Sequence, residues 1–259
     1  MPKKSGSRKA LSASRKFICD MMHMAKSVPI IPLERTMHLS ELTEARKRLQ
    51  HRPGWCAIFT KAFAIVADQH SVLRQAYMPY PWPQLYEHPD NLASISMERQ
   101  IAGETGLVVG QFRKPEHQSL RQIDEHIETF KTKPVEEIAA FRRVLSLCRW
   151  PTFIRRLVWW WGLKSTGRRR ARHFGTFGVS TVGGLGANLL MVRSPLTSVL
   201  TFGPVSKDGV VNVRVNFDHR VLDGAQVARY LEQMEEVLRT RILEEVLQLQ
   251  DEDVLDQCA

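Results

Sequence analysis

The chain has 259 residues, a formal net charge of +10, six tryptophans and a hydrophobic fraction of 43%. This composition excludes an intrinsically disordered protein, and the length allows one large domain or two small ones. The N-terminal sequence lacks the apolar core of a signal peptide, and no apolar run approaches the roughly 20 residues that span a bilayer.

The positive charge is concentrated in one part of the chain. Twelve arginines and lysines and no acidic residue lie between Glu137 and Asp208. The basic character is therefore a local feature rather than a property of the whole surface. The four cysteines are scattered, without a C-x-x-C pair or metal-ligand spacing, which predicts reduced thiols in a cytoplasmic protein and no metal site.

The first half of the chain alternates helical and strand patterns. The composition of residues 1–13 predicts a flexible basic arm. The hydrophobic periodicity then predicts helix 14–26, strand 29–39, helix 40–50, helix 55–76, strands 93–101 and 106–112, and helix 120–132.

Residues 134–172 are basic and aromatic. Their first piece has helical periodicity, Pro151 interrupts it, and the second piece places Trp159, Trp160 and Trp161 among arginines. The arginine triplet 168–170 ends the segment.

The last part of the chain contains the most specific pattern. Strands are predicted over 173–180 and 197–205, followed by a hairpin turn at 207–209. Residues 211–218 alternate apolar and polar side chains as a half-buried strand does, and the strand runs directly into His219. Asp223 follows at the start of an amphipathic helix, and residues 246–259 form an acidic tail.

Three motifs resemble those of the dihydrolipoamide acyltransferases, the core subunits of 2-oxoacid dehydrogenase complexes and relatives of chloramphenicol acetyltransferase. The string DHRVLDGA stands between a valine-rich strand and a helix containing A-R-Y-L. The opening helix is similar to the family's S-x-x-R-K-x-I, with Arg15 as the arginine, and 175–183 resembles its G-T-F-x-x-S-x-x-G. The resemblance covers residues 14–245 as one catalytic domain, standing alone without lipoyl or subunit-binding domains. About 35 residues within 134–172 interrupt it as an insertion.

The resemblance implies an α/β fold, a two-layer sandwich with a mixed sheet and helices on one face, assembled as a homotrimer or a larger trimer-based cage. It implies that the site lies between subunits, with His219 from one and Ser180 from its neighbour. His219 is then the general base, and Ser180 hydrogen-bonds the oxyanion of the tetrahedral intermediate. The resemblance makes Asp223 a structural partner of Arg15. The alternatives are that Asp223 orients His219 directly, and that Ser180 is an ordinary strand serine.

The insertion has no counterpart in the family. Its tryptophans and arginines (Trp159, Trp160, Trp161, Arg168, Arg169 and Arg170) form either a structural cover, a membrane-surface element, or a docking site for coenzyme A or an acyl carrier protein. Nucleic acid is not expected, because no binding motif accompanies the charge.

The sequence thus predicts acyl transfer from a thioester directly to an acceptor nucleophile, in the cytoplasm or at the membrane periphery. Coenzyme A or the phosphopantetheine of a carrier protein serves as substrate, without a metal. The sequence favours a stand-alone acyltransferase. The alternatives are a dehydrogenase-complex subunit acting on lipoyl groups of another chain, and a non-catalytic assembly scaffold.

Overall fold

The computed structural model describes residues 6–101 and 103–258, with side chains as far as Asp253. The strands are β1 (Ile30–His38), β2 (Gln75–Met78), β3 (Gln84–Glu87), β4 (Leu92–Ile101), β5 (Glu104–Arg113), β6 (Phe177–Val179), β7 (Ser198–Phe202) and β8 (Val210–Asp218). The helices are α1 (Ala13–Ala25), α2 (Ser40–Arg48), α3 (Trp55–Gln69), α4 (Leu120–Thr132), α5 (Ala139–Leu147), α6 (Thr152–Lys164), α7 (Gly167–Phe174), α8 (Gly224–Val237) and α9 (Leu243–Cys258).

Six strands form one mixed sheet in the order β1-β8-β7-β6-β4-β5. The pairs β1/β8, β7/β8 and β4/β5 are antiparallel, whereas β6 is parallel to both β4 and β7. Strands β2 and β3 pair separately as a hairpin that the sequence patterns did not predict. The predicted mixed sheet in a two-layer α/β sandwich is confirmed.

The main core lies on one face of this sheet. The apolar side chains of β8 point into it and are buried, as their alternation predicted. Helix α3 is apolar on nearly all sides and packs there, so that Phe59 stacks on Phe202 with 4.4 Å between ring centroids. Phe63 meets the ring of Phe177 edge-on at 4.9 Å. These aromatic contacts hold β6 and β7 against the core. Strand β6 ends just before Ser180, and β7 begins after the loop that follows Ser180.

A second, smaller apolar cluster lies on the opposite face. Successive β5 residues point to opposite faces, so Val108 belongs to the main core while Val109 packs against this second cluster. Its centre is the contact between Phe17 of α1 and Trp159 of α6, with ring centroids 5.5 Å apart. The insertion therefore adds helices to the face that the two-layer prediction left uncovered.

The insertion folds as three helices, α5 to α7. The predicted break at Pro151 is observed, because Pro151 immediately precedes α6. The strand predicted over 173–180 is shorter than expected. His173 and Phe174 complete α7, and the ring of Phe174 packs on Trp159 at 4.9 Å.

The sequence predicted a basic arm at the N-terminus and an acidic tail at the C-terminus. Of the predicted basic arm, residues 1–5 lie outside the described residues, and Ser12 caps the N-terminus of α1. The predicted acidic tail continues as α9. Val246 and Leu249 of that helix are part of the main core, and Asp253 accepts a hydrogen bond from the backbone of Gln50. Within the described ranges, no helix combines the length and the apolar character needed to cross a membrane.

Candidate active site

His219 lies in the turn between β8 and α8. Its backbone N–H donates to the carbonyl of Pro29 at 3.1 Å, and its ring Nδ1 lies 2.9 Å from the carbonyl oxygen of Leu222. A carbonyl oxygen can only accept a hydrogen bond, so Nδ1 must carry the proton. The other ring nitrogen, Nε2, is then unprotonated in the neutral imidazole, and the side chain is 46% exposed. This is the tautomer that a general base needs.

Asp223 lies beside this ring without forming a hydrogen bond to it. Its Oδ1 is 3.6 Å from Nδ1 of His219, and the carboxylate is 76% exposed. Asp223 also begins α8, where its backbone N–H donates to the side chain of Gln226 at 3.1 Å. Within one chain, Asp223 therefore makes an electrostatic contact with His219 but not the hydrogen bond that would orient the ring directly.

The predicted pair between Arg15 and Asp223 does not form within the described residues. Arg15 is exposed near the start of α1, where the hydroxyl of Ser14 accepts a hydrogen bond from Leu107 of β5. Strands β5 and β8 are four positions apart in the sheet, or about 19 Å at about 4.8 Å per strand. Within one chain, Arg15 and Asp223 are therefore as far apart as His219 and Ser180.

Asp218 and Arg220 hold the His219 turn in place, a role that the sequence did not reveal. The carboxylate of Asp218 is buried and accepts two side-chain hydrogen bonds from Arg220, at 2.9 and 2.7 Å. The guanidinium also lies over the ring of Tyr77, 4.3 Å from its centroid. The signal was the order Asp-His-Arg in the motif, in which residues on both sides of the histidine pair with each other.

Ser180 follows β6 directly. Its backbone N–H donates to the carbonyl of Leu200 at 3.0 Å, and its side chain lines a cavity of about 1020 Å³. The cavity lies on the sheet face that carries the second apolar cluster. Its walls are α1, the strands β4 to β7, the extended segment 189–196 and the inserted helices.

One chain does not bring His219 and Ser180 together. Val179 pairs with Leu200, so Ser180 is level with Thr201, whose partner on β8 is Arg214. His219 lies five residues beyond Arg214, which is about 16 Å along the strand and about 10 Å across two strand spacings. The two side chains therefore start about 19 Å apart and cannot act on one substrate atom within a single chain.

The insertion residues that were predicted to form a contact surface do not share one surface. Trp159 and Arg170 are buried, and Arg170 donates hydrogen bonds to the carbonyls of Tyr77 and Pro195. Burial lowers the pKa of Arg170 to about 10. Arg169 stacks on Trp161 at 3.5 Å, whereas Trp160 contacts Tyr80 and Arg168 is exposed. Arg170 is therefore not accessible to a partner, whereas Trp159 and Trp161 both line the cavity beside Ser180.

Among the described residues, no group of three or more histidine, cysteine or acidic side chains is placed to hold a metal ion. His173 lines the cavity, and burial together with Arg172, Arg169 and Arg143 lowers its pKa below the ordinary value. His173 is therefore neutral at pH 7.

Comparison with known proteins gives a family match for the C-terminal part of this chain. Residues 175–243, which contain both His219 and Ser180, match the family described as 2-oxoacid dehydrogenases acyltransferase (catalytic domain). No curated protein matches the sequence.

Three solved structures show the same fold over most of the chain. A probable dihydrolipoamide acetyltransferase from Listeria monocytogenes 4b F2365 matches with a TM-score of 0.67 and 19% identity, covering 90% of this chain and 94% of that chain. The dihydrolipoamide acetyltransferase of Azotobacter vinelandii matches with a TM-score of 0.64 and 16% identity, covering 93% of this chain and 95% of that chain. A chloramphenicol acetyltransferase matches with a TM-score of 0.53 and 9% identity, covering 88% and 96%.

The fold is that of the chloramphenicol acetyltransferase-like acyltransferases. The sequence match to the catalytic domain of the 2-oxoacid dehydrogenase acyltransferases spans residues 175–243, the segment that contains the motif DHRVLDGA.

Proposed function

We propose that this chain transfers an acyl group between coenzyme A and the dihydrolipoyl thiol of another chain. The sequence favoured a stand-alone enzyme with another acceptor, and the lipoyl reaction was the alternative. The family match over the segment with both proposed catalytic residues supports the lipoyl reaction. The structural relatives named dihydrolipoamide acetyltransferases support it as well.

The observation that carries the proposal is the tautomer of His219. The Leu222 carbonyl holds the proton on Nδ1, so Nε2 accepts the proton of the attacking thiol. The thiol sulfur bonds to the thioester carbonyl carbon, and the resulting oxyanion accepts a hydrogen bond from the Ser180 hydroxyl. The donor carbon–sulfur bond then breaks, and His219 returns the proton to the leaving thiolate. No acyl-enzyme forms.

A second observation concerns the Azotobacter vinelandii enzyme. The catalytic roles of a serine, a histidine and an asparagine were investigated there, and its histidine and asparagine are four residues apart. His219 and Asp223 have the same spacing here. An aspartate at this position places a negative charge 3.6 Å from Nδ1, where it stabilises the imidazolium formed during the reaction.

The proposed site lies between two copies of the chain. The distance of about 19 Å between His219 and Ser180 supports this arrangement, because only a neighbour can bring a second histidine to each serine. We propose a homotrimer, alone or within a larger assembly. The proposal assigns no role to an acyl carrier protein or to a membrane surface.

The test is acyl transfer from acetyl coenzyme A to dihydrolipoamide by purified protein. His219→Ala should lower turnover by about two to four powers of ten, because the imidazole supplies the general base. The matched control is His117→Ala, because the His117 side chain is 68% exposed and does not line the cavity beside Ser180. Circular dichroism should show both variants folded.

Near-wild-type turnover of the His219 variant would falsify the general-base assignment. Transfer to amines or alcohols but not to dihydrolipoamide would instead support the stand-alone enzyme. Absence of transfer to every acceptor, with normal assembly, would support the scaffold.

A further inference from the structure

The cavity beside Ser180 is much larger than an acetyl group requires. Its volume of about 1020 Å³ lies at the upper end of the range of about 300–1,000 Å³ for pockets that enclose drug-sized ligands. Ser180 and its neighbours Gly178 and Val179 form part of the wall. A thioester whose carbonyl oxygen is bound by Ser180 therefore has its acyl group at this cavity.

The cavity wall is mainly apolar, and the insertion supplies much of it. Its apolar side chains come from α1, β5 and the three inserted helices; they include Met21, Val109, Val144, Leu147, Val158 and Phe174. Such a wall favours a hydrocarbon chain, because each buried methylene contributes about 0.8 kcal/mol.

Two polar features complete the cavity. The side-chain Nε2 of Gln111 is buried and has no hydrogen-bond partner among the described residues, so it can donate to an oxygen of a bound molecule. Four exposed arginines also line the cavity, and no carboxylate in the described part of the chain pairs with them: Arg142, Arg143, Arg172 and Arg193. Arginines of this kind bind phosphate groups well.

We infer that the inserted helices make this cavity a binding site for an acyl chain much longer than acetyl, carried as its coenzyme A thioester. The inference rests on the proposed function and specifies the acyl substrate of the same site. The apolar wall takes the hydrocarbon chain, and the exposed arginines take the phosphates of the carrier.

The experiment compares acetyl, butyryl, octanoyl and lauroyl coenzyme A as donors to dihydrolipoamide. Wild-type kcat/KM should be at least about tenfold higher for octanoyl than for acetyl coenzyme A. Leu147→Trp fills the cavity and should lower kcat/KM for octanoyl coenzyme A at least about tenfold more than kcat/KM for acetyl coenzyme A. Leu157→Trp is the matched control, because Leu157 is 63% exposed on α6 and does not line the cavity. Met22→Trp, from the α1 wall, serves if Leu147→Trp does not fold.

Calorimetric binding of octanoyl coenzyme A without an acceptor separates this inference from the proposed function. Binding that is lost in Leu147→Trp and kept in Leu157→Trp supports the acyl site even if no transfer to dihydrolipoamide occurs. Transfer that is equally efficient for all chain lengths overturns the inference and leaves the proposed function intact. Octanoyl coenzyme A binding that Leu147→Trp does not change also overturns it.

Discussion

At the scale of single residues, His219 depends on the main chain for its orientation. The Leu222 carbonyl fixes the ring tautomer, and the buried Asp218–Arg220 pair on either side of the histidine fixes the turn. Asp223 contributes charge without a hydrogen bond. The proposed base is therefore positioned by a main-chain carbonyl and a buried ion pair.

Ser180→Ala should lower kcat by about 10²–10³ and leave KM for the thioester nearly unchanged, because a donor to the oxyanion acts mainly in the transition state. The measurement is steady-state kinetics with the preferred acyl donor. Ser206→Ala, in the turn between β7 and β8, provides the control. A raised KM with unchanged kcat would show that Ser180 only binds the ground-state substrate.

The residues proposed to carry the chemistry could be selected from the sequence because they stand in motifs. The hydrogen-bond partner of His219 could not, because a backbone carbonyl has no side-chain identity to recognise. The separation of Arg15 and Asp223 within one chain could not be predicted for a related reason. A motif identifies a helix, but tertiary packing decides which strand its first turn lies against.

At the scale of elements, the insertion is attached to the domain by buried charges. Nε of Arg155 on α6 donates to Asp20 on α1 at 2.7 Å, and both side chains are buried. Arg155 also donates to the carbonyl of Trp150 at 2.8 Å. This ion pair fixes α6, and with it Trp159, against α1.

Arg155→Met should lower the free energy of unfolding by about 3–5 kcal/mol, because it leaves the Asp20 carboxylate buried without a counter-charge. Arg156→Met, which changes the exposed neighbour in the same helix, should cost less than about 0.5 kcal/mol. Denaturant titration measures both values. Hydrogen exchange should also become faster over 152–164 in the first variant. Equal stability of the two variants would exclude the anchoring role.

The helices of the insertion were predictable, but their surfaces were not. Successive residues of an α-helix are rotated by about 100°, so the triplet 168–170 cannot form one patch. The structure accordingly buries Arg170, stacks Arg169 on Trp161 and exposes Arg168. The cavity-lining arginines come from α5, from another position on α7 and from the segment 189–196, which meet only in the tertiary structure.

At the scale of the whole molecule, apolar side chains remain exposed on the loop that follows Ser180. Leu185 is 82% and Leu190 is 68% exposed, and Met191 is also exposed. Grouped exposed apolar residues are typical of a protein interface. Their position next to Ser180 supports an assembly in which a neighbouring copy covers this loop and supplies its own His219.

The separation of His219 and Ser180 has a genetic consequence. Two inactive alleles, one encoding His219→Ala and the other Ser180→Ala, should restore activity to each other when both are expressed in one cell. In assemblies formed at random from equal amounts, about one quarter of the interfaces pair an intact histidine with an intact serine. Co-purified mixtures should therefore recover about one quarter of wild-type activity, whereas mixtures of separately assembled variants should recover it only as subunits exchange. If each copy worked alone, no mixture would exceed its inactive parents.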